Sequence, residues 1–300
     1  MKLAIKILAA IVIIGVLLGA VGLIIIASQY GSLSAFFDAE NDYVKYEQTL
    51  YDIPNEIVVN ADNRMIKIQK NNEENVYMSY YEGENDIVTY NDNNDSLSID
   101  AEQDQDIFWF FNFNFRRVPS EKRTITIKVP QTFEGSLDIR TLNGAITVDD
   151  LATIESAELR TSNGAVTVEK VSIEKSSRLK SKNGAITARN VSCHGVLRME
   201  TSNGKVKGYN VVASRLEGKS SNGSIDLDRI DSSNIEGVTS NGSVDIKIKG
   251  EMADYEIRVA SNLGNISIDG VGYSNQTINS GASKRVRASS STGSISIDFE

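Results

Sequence analysis

Residues 136–148 read SLDIRTLNGAITV, 157–168 AELRTSNGAVTV, 177–188 SRLKSKNGAITA, 197–207 LRMETSNGKVK, 217–227 EGKSSNGSIDL and 236–246 EGVTSNGSVDI. The asparagines Asn143, Asn163, Asn183, Asn203, Asn222 and Asn241 are twenty residues apart, shortening to nineteen in the last two steps. A fixed period of this length marks units that stack on one another. Two looser copies follow around Gly264 and Gly293, where Leu263 and Thr292 stand in the asparagine slot.

Within each unit the apolar residues alternate, as strands with one buried face require. Before the turn they lie four and six residues back from the asparagine, as at Ile139 and Leu137 or Leu159 and Ala157. After it they lie three and five residues on, as at Ile146 and Val148 or Val166 and Val168, and a further slot falls eight residues on at Leu151, Val171, Val191, Val211, Ile230 and Val271. Each unit is therefore strand, Asn-Gly corner, strand, bend. Asn-Gly is also a strong hairpin signal, because both residues tolerate the positive φ of a type I′ turn. A hairpin meander has no reason to hold every unit at one length, whereas a coil stacked on identical coils must keep its perimeter. The expected fold is thus all-β, a single-stranded β-solenoid of about 20-residue coils at about 4.8 Å spacing. At that spacing the asparagines, and the column Thr141, Thr161, Ser181, Thr201, Ser220 and Thr239, are expected to form hydrogen-bonded ladders.

Ahead of the coils, residues 7–27, ILAAIVIIGVLLGAVGLIIIA, are apolar without a break. As a helix they would span about 31 Å, close to the hydrocarbon thickness of a bilayer. Lys2 and Lys6 precede them and Asp38, Glu40 and Asp42 follow, which predicts a single-pass membrane protein with a cytoplasmic N-terminus and an extracytoplasmic C-terminal domain. The expected organisation is an anchor at 1–28, a juxtamembrane spacer at 29–55, an irregular β capping region at 56–130 and regular coils at 131–300. In the spacer, Phe36, Phe37, Tyr43, Val44 and Leu50 would line one face of a short helix. Residues 272–285 are rich in Gly, Ser and Asn and are expected to be a surface loop.

Net charge is −9, with no long basic face, which argues against nucleic acid as a partner. One cysteine, Cys193, precludes an intrachain disulfide, and one histidine, His194, precludes a two-histidine metal site. Cys193 is expected in the core and His194 on a bend facing water. No metal, cofactor or catalytic residue is predicted. Lys207, Asp226 and Asp245 occupy one outward column, four residues past the asparagine, and two carboxylates about 5 Å apart are near the spacing of a retaining glycosidase. Earlier coils carry Thr147, Thr167 and Thr187 there, so the column reads as solvated surface.

Two candidate contact regions remain. Most coils pair opposite charges before the turn, but Arg178 and Lys180 share a coil and are flanked by Arg160 and Arg198, an island suited to an anionic polymer. The second is the segment Phe108, Trp109, Phe110, Phe111, Phe113 and Phe115, read either as a packing flap or as a binding loop.

The N-terminal span, the lead-in TITIKVPQTFEGSLDIRTLNGAITV and the serial TSNGxVxV coils together resemble the bacterial putative-adhesin family of β-strand-repeat proteins, which includes LiaG-like cell-envelope proteins. The likeness covers about residues 56–300. It implies a cell-envelope protein connected with envelope-stress responses, and that family has no established catalytic residues to carry over. The expected role is a membrane-anchored, non-catalytic interaction or scaffolding module, its partner a cell-wall or anionic envelope polymer or another envelope protein. The alternative is a polysaccharide-active β-helix lyase or glycosidase.

Overall fold

The computed structural model describes residues 43–83, 86–93, 95–101 and 118–300, with Gly19, Val21, Gly22, Ile24 and Ser28. Among the described residues no helix is long and apolar enough to cross a membrane; the span expected at 7–27 lies outside them, apart from its four described residues.

The N-terminal part forms β1 (Val44–Leu50), β2 (Glu56–Ala61), β3 (Met65–Lys70), β4 (Val76–Glu82), β5 (Thr89–Asp92), β6 (Ser96–Ala101) and β7 (Thr124–Val129). The repeats supply β8 (Ser136–Thr141), β9 (Ile146–Ile154), β10 (Ala157–Thr161), β11 (Val166–Ile173), β12 (Ser177–Ser181), β13 (Ile186–Thr201), β14 (Val206–Ser220), β15 (Ile225–Ser232), β16 (Asn234–Thr239) and β17 (Val244–Ile248). The C-terminal part adds β18 (Tyr255–Ser261), β19 (Ile266–Ile268), β20 (Val271–Tyr273), β21 (Gln276–Ile278), β22 (Lys284–Ser290) and β23 (Ile295–Phe299).

Each coil gives one segment to each of two parallel sheets, which β13 and β14 join by running through both. Leu159 in β10 lies beside Ile139 in β8 and Leu179 in β12, and Val166 in β11 lies beside Ile146 in β9 and Ile186 in β13. In the regular repeats the strand before each corner pairs in parallel with its equivalents in the adjacent coils and not with the strand after its own corner, and this excludes the hairpin meander. The alternating apolar residues of both sheets meet inside, where Ile139, Leu159, Leu179, Ile146, Val166 and Ile186 are fully buried. Each such side chain contributes roughly 1.5–3 kcal/mol relative to exposure.

The corner does not use the positive φ that Asn-Gly tolerates. The Asn-Gly residues are not among those with positive φ. Glycine is needed because the corners stack backbone on backbone: a Cβ on Gly164, Gly184 or Gly204 would fall far inside van der Waals contact with the carbonyl oxygen of the glycine one coil earlier. The left-handed conformation falls instead at Asp150, Lys170, Asn190, Asn210 and Arg229, with φ between 52° and 57°. That kink breaks the alternation, so the next residues, Leu151, Val171, Val191, Val211 and Ile230, all turn inward. Val271, expected in the same slot, is exposed instead, because two left-handed residues, Asp269 and Gly270, fold the chain back antiparallel on β19.

The asparagine ladder is present. Asn163 Nδ2 donates to Asn143 Oδ1 at 2.5 Å, Asn183 to Asn163 at 2.6 Å, Asn203 to Asn183 and Asn222 to Asn203 at 2.7 Å, and Asn241 to Asn222 at 2.8 Å. The hydroxyl column does not bond to itself, as a ladder would require. From Thr161 to Thr239 each hydroxyl donates to the glycine carbonyl of the preceding coil, as Thr201 does to Gly184 at 3.0 Å, while Thr141 donates to the Arg64 carbonyl at 3.1 Å. From Thr141 to Ser220 each also accepts from its own corner, as Thr201 does from Gly204 N–H at 3.1 Å.

Both ends of the stack are interleaved. In the first sheet β2 lies between β6 and β8, and in the second β3 lies between β7 and β9. At the other end β22 lies between β16 and β18, and β23 between β17 and β19. The first and last coils in sequence are thus next to last in space. Residues 56–130 therefore supply two strand pairs to the stack, β2 with β3 and β6 with β7, and among the described residues there only β4 and β5 are irregular. Antiparallel strands close each end: β5 on β6, β4 on β7 and β1 on β4 at one, β21 on β18 and β20 on β19 at the other. Val44–Leu50, expected on a helix, is the strand β1, and the loop expected at 272–285 contributes β21 and the start of β22.

At the N-terminal end Arg64 stands where later corners have glycine, and Asn143 extends the ladder to Asn63 at 2.5 Å. The Arg64 guanidinium is buried against Asp86, Nε to Oδ1 at 2.9 Å and Nη2 to Oδ1 at 2.8 Å, and Tyr43 donates to the same carboxylate at 3.1 Å.

Candidate functional site

The pleat that points Leu159 and Leu179 inward points their neighbours outward, so the first sheet carries columns of charged side chains along the stack. Glu158, Arg178 and Arg198 are lateral neighbours in one column, and Arg160, Lys180 and Glu200 in the next. The four predicted cations are therefore brought together on three successive coils. Three of them have carboxylate partners. Arg160 Nε is 2.7 Å from Glu158, Arg178 Nε is 3.7 Å from Glu200, and Arg198 Nε lies 2.7 Å from Glu217 and 3.6 Å from Glu200. Lys180 makes no ion pair among the described residues and is exposed. A shallow depression between the coils is lined by Glu158, Ser176, Ser177, Arg178, Val196 and Arg198.

Farther along, the pairing tightens into a network. Glu217, only 3% exposed at its side chain, is held by Arg198, by Arg215 at 2.7 Å and by Lys219 at 3.2 Å. The hydrogen bond from Arg198 is the largest cause that draws its carboxyl down to about 2, against the opposing effect of burial. Glu236 takes Arg215 and Lys219 at 3.3 Å and Arg287 at 3.0 Å. The sequence pattern did not reveal the Arg287 contact, because units stacked in chain order would set β18, not β22, against β16.

From β8 to β18 this face carries Arg140, Arg160, Arg178, Lys180, Arg198, Arg215, Lys219, Arg258, Arg285 and Arg287 against Asp138, Glu158, Glu200, Glu217, Glu236 and Glu256. Basic groups outnumber acidic ones here on a chain whose net charge is −9. The counterpart column on the second sheet runs Lys207, Asp226, Asp245 in register. The Asp245 carboxyl is pushed up, first by burial and then by Asp226 and Asp298, while the Ser243 hydroxyl at 3.3 Å opposes the shift. Among the described residues no cluster of three or more His, Cys, Asp or Glu side chains forms a candidate metal site.

Cys193 is buried in the core and burial raises its thiol pKa, the reverse of what a nucleophile needs. His194 is exposed and 3.0 Å from Glu174. The aromatic segment Phe108, Trp109, Phe110, Phe111, Phe113 and Phe115 lies outside the described residues.

Residues 54–298 match the family described as Toastrack DUF4097. No curated protein matches the chain. Among solved structures, the chain is similar to a putative adhesin from Bacteroides fragilis at 14% identity, covering 87% of this chain and 98% of that one, with a TM-score of 0.45. It is also similar to a putative cell adhesion protein from Clostridium sporogenes at 10% identity, covering 86% and 100%, with a TM-score of 0.30.

Proposed function

The chain belongs to the Toastrack DUF4097 family, and we propose that this member is a non-catalytic, adhesin-like interaction module of the bacterial cell envelope. Residues 7–27 anchor it, the short N-terminus stays in the cytoplasm, and the solenoid stands outside. Its ligand is an anionic envelope polymer lying along the outer face of the first sheet.

The observation that carries this proposal is the excess of cations on that face, centred on the coil of Arg178 and Lys180. A row of charges repeating at about 4.8 Å attracts a linear polyanion through many weak contacts, each screened by salt. Lys180 is available without the loss of any described ion pair, and the 3.7 Å contact of Arg178 is a loose one. Arg198 is committed elsewhere, since its removal would leave the buried Glu217 short of a partner.

The test is retention of the full-length chain on an immobilised phosphate-bearing polymer. Arg178→Gln with Lys180→Gln should lower retention several-fold at low salt and leave the melting temperature unchanged. Equal retention of the variant and the parent would refute the assigned face. Release of reducing ends from envelope glycans by the same preparations would instead favour a polysaccharide-active enzyme.

A further inference from the structure

Three of the four sheet ends finish in short strands: β20 and β21 have three residues each and β5 has four. The fourth finishes in β1, VKYEQTL, seven residues long. Among the described residues β1 pairs only with β4, so its outer edge offers a full row of backbone N–H and C=O groups. Short terminal strands are a common protection against edge-to-edge association, and β1 lacks it. Its side chains are also unusually open, with Val44 59% and Tyr46 38% exposed.

We propose that β1 is a homotypic docking edge, which pairs antiparallel with β1 of a second copy about a two-fold axis at Tyr46. The charges of the strand select both the partner and the register. Centred on Tyr46, the pairing sets Lys45 opposite Glu47 of the second copy and Glu47 opposite its Lys45, with Val44 opposite Gln48. A shift of the centre by one residue either way puts Glu47 against Glu47 or Lys45 against Lys45. Opposite charges across strands stabilise a pair and like charges destabilise it, so one register is favoured over both neighbours. Lys45 and Glu47 already form an ion pair within the chain, so both heads lie on the same face and within reach of their counterparts. The result joins two solenoids end to end through one continuous sheet. A single strand pair buries less than the ~1,200–2,000 Å² of a stable interface, so the association is weak in dilute solution and is best trapped covalently. This inference is independent of the polymer-binding face.

The experiment uses the full-length chain carrying Cys193→Ser, which removes the only native thiol. Tyr46→Cys places a thiol on the axis and should give a disulfide-linked dimer under mild oxidation. Val44→Cys should not, because its equivalents stand about 13 Å apart at ~3.3 Å per residue. Adding Lys45→Glu to Tyr46→Cys should abolish the dimer, and adding Glu47→Lys to that should restore it. Should Tyr46→Cys disturb its stacking on Tyr80, light scattering on Lys45→Glu and the charge-swapped pair reads the same interaction without it. A Tyr46→Cys chain that stays monomeric, links no better than Val44→Cys, or is indifferent to Lys45→Glu would overturn the proposal.

Discussion

Gly184 shows what one residue contributes to the stack. Its Cα lies so near the corner below that a Cβ would strike the Gly164 carbonyl oxygen, and that carbonyl is also the acceptor for the Ser181 hydroxyl at 2.9 Å. Relief would require separating two coils along their whole length. Gly184→Ala should therefore destabilise by about 3 kcal/mol or more, at the upper end for overpacking. Lys182→Ala, on the exposed side of the same corner, should be close to silent, and Gly270→Ala, at φ +75° in open space, should cost only about 1 kcal/mol. Thermal melts of the three variants check the order. The glycine column was plain in the sequence but its reason was not, since Asn-Gly more often signals a left-handed turn. The residues that do take that conformation include Lys170 and Arg229, whose side chains give no sign of it.

Between neighbouring strands, the main electrostatic commitment is Glu217 of β14 with Arg198 of β13. The Glu217 carboxyl has a folded-state pKa of about 2, below its ordinary value of 4.5. A depressed carboxylate contributes stability that is complete above the unfolded value and is lost as pH falls through the folded one. Unfolding free energy should therefore decline between about pH 4.5 and 2, and Glu217→Gln should flatten that part of the profile while lowering stability at pH 7. Denaturant titrations across that range measure both. An unchanged acid limb in the variant would show that other carboxylates set it. The charge columns before the turn could be read from the repeats, because each coil preserves its phase relative to the asparagine. Arg215 and Arg287 escaped, the first because it lies seven residues before its asparagine, the second because its coil is inserted out of order.

At the scale of the whole molecule, two parallel sheets wrap one core, antiparallel strands close both ends, and the outer face of the first sheet is the more basic. Twenty-residue periodicity suffices to predict the stack, since a constant perimeter is a property of the sequence itself. The order of coils at the ends is not legible, because every coil presents the same apolar slots and several orders satisfy them equally. Interleaving has a physical benefit: each terminal coil in sequence is bonded on both sides, so neither can peel away alone. The most direct measurement of this architecture is disulfide formation between β16 and its neighbour in the stack. Val238 lies beside Ser289 of β22, and Ser289 lies beside Ala260 of β18. In a Cys193→Ser background, an interleaved stack predicts that Val238→Cys with Ser289→Cys closes a disulfide readily, at a Cα separation of about 5 Å, while Val238→Cys with Ala260→Cys, two coils apart, does not. Closure of the second pair and failure of the first would mean that the coils follow chain order, and would contradict the fold described here.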